Sequence, residues 1–297
     1  MNVHEAGWRR FKIGDFTATI VSDGAIVFES VASEFPAQQA SEVNALLDPS
    51  SSGSSPLNCL LLDTGRRLIL IDAGMGSSTL LGDGAGRLVS NLAAAGISPD
   101  ELDAVLLTHL HCDHLWGLID ARGAPVFANA EVFLPKAEFA FWTGEPNVDR
   151  SALIAADDIA MTRRCLAAYQ ARLSLFEGEA ELVPGIRAIA TPGHTLAHTS
   201  YLIASAGERV LNIGDICHHG AVQFARPDWL FRWDDDAELA ALSRRRMFDM
   251  AADEHIPIVG FHLPIPGVGW VEREGAGFRF RAAARGAEGD GSFFVVE

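Results

Sequence analysis

The chain has 297 residues, 48% of them hydrophobic, enough apolar material for one large core or two fused halves. Thirty-nine acidic against 23 basic residues leave a formal net charge of −16, which argues against a nucleic-acid partner held through phosphate contacts. The N-terminus, MNVHEAGWRRFKIGDF, lacks an apolar leader core and no run of about 18 apolar residues follows, so no membrane partner and a cytoplasmic location are expected.

In chain order, FTATIVSDGAIVF reads as strands turning at Asp23-Gly24, and NCLLLDTGRRLILIDAG as strands turning at Thr64-Gly65 and ending at Asp72. Between them SSSGSS, residues 50–55, reads as a flexible loop. GRLVSNLAAAGI places Leu88, Leu92 and Ala95 at helical spacing and stops at Gly96, and LDAVLLT after it is a short buried strand. Residues 128–182 change character. AEFAFW is aromatic, and Ser151 to Leu173 puts Met161, Cys165, Leu166 and Tyr169 on one helical face, which predicts a helical insertion or lid. Strands return as IRAIAT, TSYLIAS, RVLNIGD and IPIVGFH, with one acidic-to-basic helix, DDDAELAALSRRRMFDMAADE, among them. The tail from Glu272 is glycine-rich and weakly patterned. This order favours α/β layers in a single domain, 1–297, of two similar halves, about 1–182 and 183–297. Four cysteines (Cys59, Cys112, Cys165, Cys217) without CxxC spacing suit reduced thiols.

THLHCDH, at the end of the LDAVLL strand, packs three histidines and an aspartate into residues 109–114. In extended chain, residues two apart point the same way, so His109 and His111 can address one point while Asp113 and His114, around the next turn, face a second. Imidazole and carboxylate suit zinc and its first-row neighbours. Three further strands end in matching chemistry, at His194 (TPGH), Asp215 (NIGD) and His262 (GFH), so four strand ends are expected to converge on one rim.

HLHCDH, TPGHT, NIGD and GFH together resemble the metallo-β-lactamase superfamily of metal-dependent hydrolases, over about residues 15–280. The resemblance implies a four-layer αββα sandwich with a helical insertion near a two-metal site at one edge. By that pattern His109, His111 and His194 hold one metal, Asp113, His114 and His262 the other, and Asp215 bridges them. Zinc is expected, with Mn, Fe or Co able to replace it. Asp72 matches the superfamily's early structural aspartate, His198 reads as an orienting partner, His219 as solvated, His4 and His255 as outside any cluster, and Cys112 and Cys217 as non-ligands.

Aspartate at 215 and histidine at 111 argue against the cysteine-ligated β-lactam enzymes and the di-iron redox branch, and the charge against a nuclease. GDICHHGAVQFARPDW, GFHLPIPGVGW and AEFAFW look like the methyl parathion hydrolase-like group and its lactonase and arylesterase relatives; N-acyl homoserine lactonases stand somewhat further off, since their tyrosine after the bridging aspartate is missing. The implied function is hydrolysis of apolar esters or lactones, with aryl phosphotriesters as further substrates, by a metal-bridging hydroxide. Asp113 and Asp215 would orient it, and His218 would assist at the carbonyl or line the pocket with Phe139, Trp142 and the LPIPGVGW loop. The alternatives are a glyoxalase II-type thioesterase and a non-catalytic metal-binding scaffold or sensor. The expected partners are a small-molecule substrate and a second copy in a homodimer.

Overall fold

The computed structural model describes residues 7–47, 53–144 and 156–283. His4, Ser50 to Ser52, residues 151–155 of the helix expected from Ser151 and the end of the tail lie outside them. The first sheet orders seven strands in sequence: β1 (Trp8–Ile13), β2 (Phe16–Val27), β3 (Ser54–Asp63), β4 (Leu68–Ile71), β5 (Ala104–Leu106), β6 (Glu131–Pro135) and β7 (Leu173–Phe176). Its first four strands pair antiparallel and its last four parallel. The second sheet holds β8 (Glu181–Val183), β9 (Ile186–Ala190), β10 (Thr199–Ser205), β11 (Glu208–Asn212), β12 (Ile258–Val259), β13 (Val268–Glu274) and β14 (Gly277–Ala282). The helices are α1 (Ala40–Asn44), α2 (Leu88–Ala94), α3 (Cys112–Leu115), α4 (Lys136–Thr143), α5 (Ala156–Ala168), α6 (Gly220–Ala225) and α7 (Ala237–Asp253).

The strand alternation of side chains builds the layers. Leu60 and Leu62, Ile69 and Ile71, and Leu106 face the second sheet, where Ile186, Tyr201, Ile203 and Val210 meet them in a core between the sheets. Their neighbours Cys59, Leu61, Leu70 and Val105 face outward onto Leu88 and Leu92 of α2 and Cys165 and Leu166 of α5. On the far side Leu211 and Ile258 pack under Met247, Phe248 and Ala251 of α7, which recur at helical spacing. The Asp236 carboxylate caps α7 by accepting from the Leu239 amide at 2.9 Å. The result is the four-layer αββα sandwich.

Several local expectations are corrected. Asp23-Gly24 is a bulge within one long β2, because both flanking segments pair with β3 and not with each other. Gly24, at φ +114°, sits where a Cβ would lie 2.0 Å from the Gly84 carbonyl oxygen, and Asp23 turns inward, fully buried. Ser54 and Ser55 belong to β3 and not to a loop. The described part of the weakly patterned tail belongs to a β-hairpin, β13–β14, turning at Gly275. Residues 128–182 contain β6 and β7 as well as helices: parallel β6–β7 pairing requires a crossover, and α4 and α5 form it.

Candidate metal centre

His109 and His111 lie in the loop after β5, Asp113 and His114 on the first turn of α3, His194 after β9, Asp215 after β11 and His262 after β12. Every one of these strands ends on the same rim, so two sheets contribute to one site. Donor atoms of His109, His111 and His194 lie within 4.8 Å of one another, as do those of Asp113, His114 and His262. Asp215 stands between the groups. Its Oδ2 is 3.2 Å from His194 Nε2 and 3.4 Å from His262 Nε2, and its Oδ1 is 3.1 Å from His114 Nε2.

The outer nitrogens of four of these imidazoles are tethered, which aims the inner nitrogen at the centre. His109 Nδ1 meets the Thr108 hydroxyl at 3.0 Å, His114 Nδ1 the Asp72 carboxylate at 2.9 Å, His194 Nδ1 the Asp234 carboxylate at 2.9 Å and His262 Nδ1 the Ser55 hydroxyl at 2.9 Å. His111 instead turns Nδ1 inward, 3.0 Å from His194 Nε2. His198 takes no place in the clusters; its Nε2 accepts the Asp215 amide at 3.0 Å while Nδ1 meets the Thr191 hydroxyl at 2.8 Å, so it orients the loop that carries Asp215.

Burial holds His109 and His111 well below the ordinary imidazole pKa, with neighbouring histidines adding to the effect. Burial works the same way on His114 and His194, but there the carboxylates prevail: Asp215 and Asp72 push His114 well up, and Asp215 and Asp234 push His194 to about 10. Burial opposes charge on Asp215 too, yet the surrounding imidazoles hold its carboxyl well below the usual range. His109 Nε2 is buried and makes no hydrogen bond. The lone pair of the neutral His109 at Nε2 and those of Asp215 Oδ2, 3.7 Å away, face one another with no hydrogen between them. A cation accepting those lone pairs fits the donor set.

The centre forms the floor of a cavity of about 400 Å³ walled by Ile26, Leu81, Trp116, Trp142, Phe231 and Trp233. Trp142 packs edge-on to His111 at 6.4 Å. Phe139 is not among the walls; partly exposed on α4, it packs against the edge of the core. Nor does the LPIPGVGW loop reach this cavity. Pro264 and Ile265 line an adjoining hollow of about 820 Å³ that shares His218 and His262 with it and also receives Arg87. His219 is not solvated at its Nδ1, which is shut off from solvent without a hydrogen bond. Burial lowers its pKa. Neither Cys112 nor Cys217 enters the donor groups, and burial pushes the Cys217 thiol up to about 12. His218 sets Nε2 3.1 Å from Asp215 Oδ2 and stacks on Phe231 at 4.1 Å.

Sequence reasoning missed Asp234, Arg244 and Glu138. Asp234 links His194 to the buried Arg244, whose guanidinium also donates to the carbonyls of Ile216 and Pro227. The only signal for Asp234 was a place in the DDD run at the start of α7, where it read as dipole charge.

Residues 53–262 match the metallo-beta-lactamase superfamily, and the chain belongs to it, as a metal-dependent hydrolase. Among individual proteins, an N-acyl homoserine lactonase of Bacillus sp is 28% identical over 240 residues, 74% of this chain and 86% of that protein. AidC, a dizinc quorum-quenching lactonase solved with the product N-hexanoyl-L-homoserine, matches at 30% identity and TM-score 0.86 over 94% of this chain and 98% of that one. The hydrolase AbOPH of the beta lactamase superfamily matches at 30% identity and TM-score 0.86, over 95% and 99%. No helix of the described residues is long and apolar enough to cross a membrane.

Proposed function

We propose that this chain is a dinuclear lactonase for neutral lactones bearing an apolar chain, N-acyl homoserine lactones foremost. The observation that carries the reading is a pair of three-donor groups with Asp215 between them, on the floor of a mainly apolar cavity of about 400 Å³. His109, His111 and His194 would hold one metal and Asp113, His114 and His262 the second, with Asp215 placed beside both donor groups. Zinc suits the nitrogen and oxygen donors. When bound, such a metal pair supplies Lewis acidity and an activated water at neutral pH. The lactonase relatives support the substrate class.

The residues do the rest. Asp113 and Asp215 orient the attacking water and accept its proton, and Trp116, Trp142 and Phe231 exclude bulk water from the reacting carbonyl. Burial lowers the His218 pKa to about 4, so it is a neutral imidazole. Its one hydrogen belongs on Nε2, facing Asp215, which leaves Nδ1 without a proton to donate. We therefore assign His218 to orienting Asp215, the carboxylate its Nε2 faces at 3.1 Å. Tyrosine offers no substitute: Tyr201 donates to the Leu107 carbonyl at 2.6 Å and Tyr169 to the Leu118 carbonyl at 2.9 Å, both buried away from the site.

Among the described walls of the cavity there is no lysine or arginine, while Asp158 and Asp235 are present, so an anionic substrate loses hydration without gaining a counter-charge. The test is kcat/KM at fixed metal for N-hexanoyl homoserine lactone, phenyl acetate, a dialkyl aryl phosphotriester and a glutathione thioester. The lactone should be preferred. Preference for the thioester would overturn the apolar reading; preference for the phosphotriester would keep the site and change the activity; a metal-loaded protein inert to all four would be a scaffold.

A further inference from the structure

Glu138 is a charged-type side chain only 2% exposed, on the first turn of α4, and it belongs to none of the donor groups. Its contacts run to three separate parts of the site. Oε2 accepts from the Leu110 amide at 3.3 Å, between His109 and His111, and from the Trp142 indole nitrogen at 3.3 Å. Oε1 accepts from the Ala197 amide at 3.3 Å, in the loop that carries His194. One loop leaves the first sheet and the other the second. At their base the loops are joined directly, Thr199 amide to Thr108 carbonyl at 2.9 Å. At their outer end, where His111 Nδ1 and His194 Nε2 come within 3.0 Å, Glu138 is the side chain that spans them.

We infer that Glu138 is a positioning residue: it sets the separation of the two loops that form the His109–His111–His194 metal site and fixes the Trp142 wall above it. The inference rests on the metal-site reading proposed above. Its chemistry is specific to a carboxylate. Each hydrogen-bonding partner named is an N–H donor, and they lie on both oxygens, so both must accept. Glutamine has nearly the same shape but would turn an NH2 group toward either the Ala197 amide or the Leu110–Trp142 pair, leaving donors facing donors in a buried place. The loops would then part at the outer end while the base bond and the sheets remain. The second donor group, Asp113, His114 and His262, has no contact with Glu138 and should keep its metal.

The experiment compares the parent chain with Glu138→Gln and Trp142→Phe, each loaded with Zn(II) or Co(II). For Glu138→Gln, affinity for one of two metals should fall by about 10- to 100-fold, the range for groups that orient metal ligands. The second metal should be retained, and the Co(II) absorption bands should change for one site only. Trp142→Phe removes one donor and leaves the loop span, so it should keep both metals and raise KM for the lactone more than it lowers kcat. The thermal midpoint of the metal-free proteins reports folding. Glu138→Gln binding two metals with parental affinity and an unchanged Co(II) spectrum would overturn the inference. Equal loss of both metals with a lowered metal-free midpoint would overturn it too, since that is a purely structural role. A parent that never holds two metals would overturn the underlying site reading, and this inference with it.

Discussion

Asp215 touches both donor groups, whereas His218 touches Asp215 alone within the carboxylate set. Asp215→Asn should therefore cost far more activity than His218→Ala. The amide removes the negative charge that both metals would share under the proposed assignment, so the expected loss exceeds the roughly 10- to 100-fold typical of groups that only orient a ligand. Steady-state kcat/KM with metal content measured alongside checks the ordering; equal losses at full occupancy would place His218 in the chemistry itself. His198 gives a pH prediction. Burial lowers its pKa from 6.5 to about 3. The unfolded chain thus takes up that proton first as pH falls, so the stability His198 contributes is whole above about 6.5 and drains away toward about 3. His198→Gln cannot titrate, and its stability should fall less steeply with acid over that window, by up to one proton in slope. Identical slopes in urea melts from pH 7 to pH 4 would refute it. At this scale the donors were legible because histidines and aspartates at strand ends form a dense pattern. Glu138, a lone acid on a helix, and Asp234, one of three acids before α7, were not, since such an acid looks the same whether it meets water or a buried partner.

The bulge in β2 is the clearest case in which an element's meaning changed on folding. Asp-Gly between apolar runs signals a hairpin only if the two runs pair with each other. Here both pair with β3, and Asp23 is driven inside to accept from the amides of Met75 at 2.8 Å, Gly86 at 3.2 Å and Leu88 at 2.8 Å. It pins the loop that brings Leu80 and Leu81 to the cavity mouth. Asp23→Ala would leave three amides without their acceptor, and at about 1–3 kcal/mol for each unsatisfied buried group the protein should lose about 3 kcal/mol or more of stability. Chemical denaturation measures this directly; a loss under about 1 kcal/mol would show that water or loop movement replaces the carboxylate. The crossover α4–α5 was expected as helix, and its strands β6 and β7 were not. EVFLP and LSLF are too short for periodicity to separate strand from loop, and only pairing beside β5 defines them.

For the whole molecule, the two sheets pack face to face and bring their strand ends together at the proposed metal site, so metal should couple the halves. Purified protein should carry close to two metals per chain, and chelation should abolish lactone hydrolysis and lower the thermal midpoint, because a ligand bound only by the folded state stabilises it. Elemental analysis and a chelator titration followed by calorimetry check both; a midpoint indifferent to chelator would separate the site from the fold. The expected homodimer is read by sedimentation of the same metal-loaded sample.

The sequence by itself determined the layer class and which strand ends carry histidine and aspartate, because strand periodicity, helix periodicity and side-chain chemistry are local properties of neighbouring residues; the grouping of those residues about two metals came from the family resemblance. Tertiary structure alone decided which aromatic residues line the cavity. Trp142 and Phe139 lie three residues apart on α4, yet Trp142 lines the cavity from a buried position while Phe139, partly exposed, packs only against the edge of the core. It also decided which polar groups are buried with a purpose. Asp23, Glu138 and Asp234 are ordinary surface-type residues in the chain, and they become fixed acceptors only where the fold carries distant amides, an indole and an imidazole to them and removes the water that would otherwise compete.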